Sequence, residues 1–172
     1  MPEEEIAYST EWDGAESATV RVTAPDGTST VLKRATVTMT DTVTWTPPSV
    51  AGVYTLTHEA GDVMRSAQFQ VYGAGVIVHE SGWLDRDETW DADHVHVVRG
   101  AVTVPSGRTL EIAEGAVVKF LTNASLVVAD GGACTANGVT FTHIGDDAVG
   151  GDTNGDGEAS APVLGYSVVG KV

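Results

Sequence analysis

Residues 102–120 read Val102-Thr-Val-Pro-Ser-Gly-Arg-Thr-Leu-Glu-Ile-Ala-Glu-Gly-Ala-Val-Val-Lys-Phe120. Within them, and continuing beyond, an apolar pair recurs every eight residues: Val102/Val104, Leu110/Ile112, Val118/Phe120, Leu126/Val128 and Cys134/Ala136. Residues i and i+2 of a strand share a face, so each pair puts two apolar side chains on one side of a short strand. Between the pairs lie Ser106-Gly107, Glu114-Gly115, Thr122-Asn123 and Asp130-Gly131-Gly132, residues that suit tight corners. Such regularity predicts a solenoid, in which each short strand turns a corner and stacks on the coil below. Three sides of eight residues make a 24-residue coil, which places Val102 on Leu126 and Leu110 on Cys134. A meander of hairpins is the alternative, but nothing in it forces a constant spacing over five strands.

The rest of the composition agrees with an all-β chain. Among 172 residues there are 26 Val and 21 Thr, β-branched types that suit a pleated, half-buried surface. Twenty glycines punctuate the chain, and no long stretch shows a 3.6-residue apolar repeat. Nine Lys and Arg stand against 24 Asp and Glu, a net charge of −15 that excludes nucleic-acid binding through a basic face. No apolar run approaches the roughly 18 to 20 residues of a membrane span. Cys134 is the single cysteine, so neither an internal disulfide nor a cysteine-built zinc site is available.

Upstream of the repeat the pattern differs. Ala18–Thr23, Val31-Leu32, Asp41–Trp45, Gly52–His58 and Ala67–Val71 alternate apolar and polar residues, with turns at Pro25-Asp-Gly-Thr28 and Gly61-Asp62. These read as a small antiparallel sandwich over 1–73, with Trp12 and Trp45 packed inside it. Residues 74–98 are expected to be a linker and N-terminal cap, and 99–172 the first coils of the solenoid, interrupted by an acidic insertion at 145–162.

The phrase from Val102 to Phe120, preceded by Thr89-Trp90 and the Val-rich segment Val95–Val98, resembles the opening coil of right-handed parallel β-helices in bacterial surface and secreted proteins. Gly138-Val-Thr-Phe-Thr142 and the acidic stretch Asp146–Gly157 resemble the next strand and its insertion in that group, which shares the pectate-lyase-like architecture. Tyr8–Trp12 and Tyr54–His58 resemble, more loosely, the immunoglobulin-like (Ig-like) modules that precede such helices. The likeness implies secretion or display at the cell surface and a structural or adhesive role. It implies no catalytic set, because the lyase branch needs Asp and Arg residues on later coils. The segment begins without a signal peptide, so it is expected to be a fragment of a longer chain.

Asp152, Asn154 and Asp156 alternate, Gly157 follows, and Ser160 sits four beyond Asp156. That spacing matches positions 1, 3, 5, 6 and 9 of a twelve-residue calcium loop, with the Glu158 carbonyl at position 7. Val163 stands where a bidentate Glu is expected, so Ca2+ needs a further carboxylate, for which Asp146 and Asp147 are the nearest candidates. A solvated, Gly-rich acidic loop is the alternative. Asp91, Asp93, His94 and His96 raise a zinc or copper reading that lacks a third firm ligand, and a polar strand face explains them equally well. Trp83 and Trp90 offer either a sugar-stacking platform or a cover over the end of an apolar core. Cys134 falls on an inward position and reads as a small hydrophobe. His58, His79 and His143 look isolated.

These readings converge on a non-enzymatic structural or adhesive segment, a stalk, adhesin or filament subunit. Its expected partners are itself or further coils of the same chain. A carbohydrate-binding module that contacts surface glycans through Trp83, Trp90 and the calcium loop is the competing class. A polysaccharide lyase would need basic residues clustered in a cleft, and the nine Lys and Arg do not cluster.

Overall fold

Tight turns and strands with one apolar face alternate through the first 72 residues, which form one unit, Met1–Tyr72, separate from a second, Gly73–Val172. The computed structural model describes residues 6–11, 16–37, 40–157 and 165–170, and those residues contain strands and no helix.

In the first unit β1 (Ile6–Glu11) pairs antiparallel with β4 (Thr40–Trp45). A second antiparallel sheet has the order β3 (Ser29–Val37), β2 (Glu16–Thr23), β5 (Gly52–Ala60), β6 (Val63–Val71). The β2–β3 turn closes at Gly27, whose φ of 85° suits glycine, while Thr28 donates its backbone N–H to Asp26 Oδ1 at 2.8 Å. Period-two alternation buries Val20, Val22, Tyr54 and Leu56 together, and Val43 of β4 and Val71 of β6 join the same cluster. Trp45 packs on it as expected, 5.4 Å from the rings of both Tyr54 and Phe69. Trp12 lies outside the described residues.

The second unit is built from parallel sheets only, among the described residues. Its strands are β7 (Val76–His79), β8 (Gly82–Trp83), β9 (Glu88–Trp90), β10 (Val95–Val98), β11 (Ala101–Val104), β12 (Thr109–Ile112), β13 (Val117–Phe120), β14 (Ser125–Val128), β15 (Ala133–Thr135), β16 (Thr140–His143) and β17 (Ser167–Val169). Successive strands are dealt in rotation to three sheets, with orders β7-β10-β13-β16, β8-β11-β14-β17 and β9-β12-β15. Val102 lies opposite Leu126 and Leu110 opposite Cys134, each 24 residues on, the pairings that the eight-residue spacing predicts. Corners stack as well, with Gly107 N–H donating to Gly131 O and Gly115 N–H to Gly138 O. The first member of each apolar pair, and its i+2 partner, point into one core: Val102, Val104, Leu110, Ile112, Val118, Phe120, Leu126 and Val128 are buried, and Cys134 and Ala136 are partly buried against them. Burial pushes the Cys134 thiol up from its ordinary value, in keeping with a protonated, hydrophobic role.

Residues 74–98, expected to be linker and cap, carry strands β7 to β10 and supply the first tier of all three sheets. Their spacing is shorter, 19 residues from Val76 to Val95 and 22 from Glu88 to Leu110, so the eight-residue rule does not reach them. At the other end Ser125 lies opposite Ser167, 42 residues on, and the surplus chain is the acidic insertion.

Candidate functional site

Alternation along β10, β13 and β16 sends His96, Val118 and Phe141 to the core side and leaves Val97, Lys119 and Thr142 in a row on the opposite face. That outer row is nevertheless buried, and Lys119 is 0% exposed. The chain leaving β16 folds back over it. Thr142 donates its hydroxyl to Asp146 Oδ2, Lys119 Nζ donates to Gly151 O at 2.6 Å, and Gly73 N–H donates to Thr153 O at 3.2 Å. Gly150 lies flat against the sheet at φ 71°, where a Cβ would come within 3.1–3.4 Å of Val95, Val117 and Lys119.

This back-fold gathers three carboxylates. One oxygen each from Asp147, Asp152 and Asp156 lie within 4.8 Å of one another. Asp152 is held by the backbone, its Oδ1 accepting from Gly155 (2.6 Å) and Asp156 (3.2 Å) and its Oδ2 from Gly157 (3.0 Å). Asp147 Oδ1 is buried without a hydrogen-bond partner, a costly state unless a cation meets it. Burial pushes the Asp147 carboxyl up, repulsion from Asp152 and Asp156 adds to that, and Lys119 opposes it. For Lys119 itself, burial lowers proton affinity, and the four carboxylates of Asp147, Asp146, Asp152 and Asp156 push it back up.

Of the residues that the calcium spacing singled out, Asp147, Asp152 and Asp156 therefore come together. Asn154 joins by donating its Nδ2 to Asp156 Oδ2 at 2.7 Å. Asp146 does not join the cluster, because its oxygens are taken by the Thr142 hydroxyl and the Ala148 N–H. Glu158, Ser160 and Val163 lie outside the described residues. The residue that sequence reasoning misses is Lys119. Its signal is a lysine at an outward position of the quoted phrase in a strongly acidic chain, but the segment that covers it follows 25 residues later.

The histidines do different work from the metal reading. His94 Nδ1 pairs with Asp91 Oδ1 at 2.8 Å, and Asp93 is exposed. His96 is buried, with Nε2 3.0 Å from the Asp91 carbonyl and Nδ1 2.9 Å from His79 Nε2. A carbonyl only accepts, so His96 carries its proton on Nε2 and offers Nδ1 as acceptor. His79 must then donate from Nε2, which leaves its own lone pair on Nδ1. Burial, followed by the neighbouring His96, drives the pKa of His79 down to about 4. Burial also lowers that of His96, against the Asp91 contacts. The His79 ring stacks on Trp90 with centroids 3.9 Å apart. Two residues that look isolated in the sequence thus have partners, since His143 also contacts the Thr122 hydroxyl through Nε2 at 3.1 Å.

The two tryptophans do not form a joint platform. Trp90 is 1% exposed and belongs to the apolar core, because its register with Ile112 turns it inward. Trp83, opposite Thr103, faces outward and is 75% exposed. Comparison with known proteins adds no relative to this geometry: no protein-family model, curated protein or solved structure matches the chain.

Proposed function

We propose that residues 73–172 are the opening coils of a right-handed parallel β-helix that follows an Ig-like sandwich. On this reading the chain is a non-enzymatic structural or adhesive segment of an extracellular or cell-surface protein. The observation that carries it is the rotation of successive strands through three parallel sheets at a 24-residue register. An architecture of that kind buries its side chains between neighbouring coils and grows by adding more of them. Among the described residues, β15, β16 and β17 each have a neighbour on one side only, and an unpaired strand edge recruits further strands, from the same chain or from a second copy.

Ser167 N–H points back to Ala124 O, so alternation turns the Val168 N–H toward the open edge. Val168→Pro removes that donor and keeps the pairing with β14. Light scattering across a concentration series is expected to show self-association of the unaltered chain and its reduction in Val168→Pro. A chain that stays monomeric at every concentration contradicts the edge as an assembly surface.

The same reading gives the acidic insertion a calcium ion, held by Asp147, Asp152 and Asp156. Oxygen-only donors suit a hard divalent cation, and the orphaned Asp147 Oδ1 is an acceptor that such an ion would satisfy. Three carboxylates beside a fixed ammonium favour modest affinity, suited to extracellular millimolar calcium. At about ten times Kd the ion adds about 1.4 kcal/mol of stability. Melting curves in calcium and in chelator should therefore differ by several degrees, and Asp152→Asn should abolish the difference. Identical curves for the unaltered chain contradict the site.

A further inference from the structure

We propose that the β7–β9 end of the parallel unit binds a small organic ammonium compound. The inward rows of the three sheets are apolar in later tiers: Val98 and Phe120 follow His79, and Leu110 and Cys134 follow Glu88. The first tier departs from this rule with His79 and Glu88, and departures from core patterning that cost burial mark functional positions. They border a cavity of about 440 Å³, whose wall also includes Ile77, Arg86, Trp90 and His96. An adjoining cavity of about 270 Å³ shares His79 and Glu88 and adds Trp83, Glu80 and Asp85. Their volumes fall at the scale of small-ligand sites.

The chemistry on offer is almost wholly that of acceptors. Glu88 gives one oxygen to the Trp90 indole N–H at 3.1 Å and keeps the other. The His79 lone pair is fixed on Nδ1, because its Nε2–H is committed to His96. Glu80 is paired with Arg99 at 2.8 Å, which leaves Asp85, Asp87 and Glu88 against the single guanidinium of Arg86. The exposed Trp83 ring adds a π face. Carboxylates give charge-assisted hydrogen bonds to N–H donors, and an indole face attracts a cation that carries an apolar body. An inorganic ion would use the carboxylates and leave the indole idle, whereas an organic ammonium uses both. Anionic ligands are repelled.

The test is calorimetric titration of the full chain with spermidine and with glucosamine, at about 150 mM salt to screen diffuse attraction. A chelator is kept present, so the outcome does not depend on the calcium site or on assembly at the opposite end. Binding of either amine is expected, and the tighter of the two identifies the body that the cavity prefers. N-acetylglucosamine, which lacks the charge, should bind at least about tenfold more weakly than glucosamine. Trp83→Ala and Glu88→Gln should each weaken amine binding about fivefold, while Asp62→Asn, in the first unit, should leave it unchanged. Trp83 is exposed, so its loss does not threaten the fold. Absence of amine binding, equal binding of the acetylated sugar, or unaltered binding by both variants overturns the proposal.

Discussion

Phe120→Ala should lower the unfolding free energy of the Gly73–Val172 unit by about 3 to 5 kcal/mol. Phe120 is fully buried, stacks on Tyr166 with centroids 4.7 Å apart, and touches the Phe141 ring at 6.1 Å. Both partners belong to the next tier or to the return from the insertion, so truncation uncouples one layer from another. Coils are supported only by their neighbours, and a domain's total stability is about 5 to 15 kcal/mol, so this loss is a large share of the whole. Urea unfolding should show it directly, and hydrogen exchange should place it in β10, β13 and β16. Val169→Ala, at an exposed site on β17, should cost within about 0.5 kcal/mol. A loss below about 1 kcal/mol for Phe120→Ala would mean that this ring does not hold the tiers together.

The second large effect is loss of stability in mild acid. His79 in the unfolded chain takes a proton near pH 6.5, whereas in the folded chain it refuses one until about pH 4. Above pH 6.5 both states are neutral and the native contacts are intact. As pH falls from 6.5 to 4 the unfolded state binds the proton first, so folding stability drops throughout that window. For His79 the loss is about 2 to 3 kcal/mol by pH 4.5, and His96, shifted in the same direction, adds to it. Acid also neutralises carboxylates and relieves the repulsion of a chain at −15, so the difference between two chains is the clean measurement. His79→Gln keeps a side-chain N–H for His96 Nδ1 and does not titrate. Urea midpoints at pH 7 and pH 4.5 should fall further for the unaltered chain than for His79→Gln. Equal falls contradict a neutral, buried imidazole pair at this end of the unit.

The features legible in the amino-acid sequence are those in which one physical constraint repeats. Val102, Leu110, Val118, Leu126 and Cys134 each have to face the core, and a constant eight-residue interval follows when every side of the coil has the same length. The first tier escapes that rule because its corners are shorter and its inward residues are partly polar: Glu88 and His79 do not look like core positions, although Glu88 is in register with Leu110 and His79 with Val98. Trp90 is ambiguous for a related reason, since an indole suits both a platform and a core, and only its register with Ile112 separates the two. In the insertion, alternation of Asp152, Asn154 and Asp156 points to a shared centre, and the backbone supplies donors to Asp152 at positions 155–157. What spacing alone does not contain is the sheet face beneath. Thr142 draws Asp146 away, and Lys119 brings a fixed positive charge to the three remaining carboxylates.

All of these readings depend on parallel pairing at the 24-residue register, and nuclear Overhauser contacts between backbone protons measure that pairing in solution. Contacts should link Val102 to Leu126 and Thr109 to Ala133, strand by strand in the same direction. Close Hα–Hα contacts between sequence-adjacent strands, such as Val104 with Thr109, would show up-and-down neighbours in an antiparallel sheet and contradict the account.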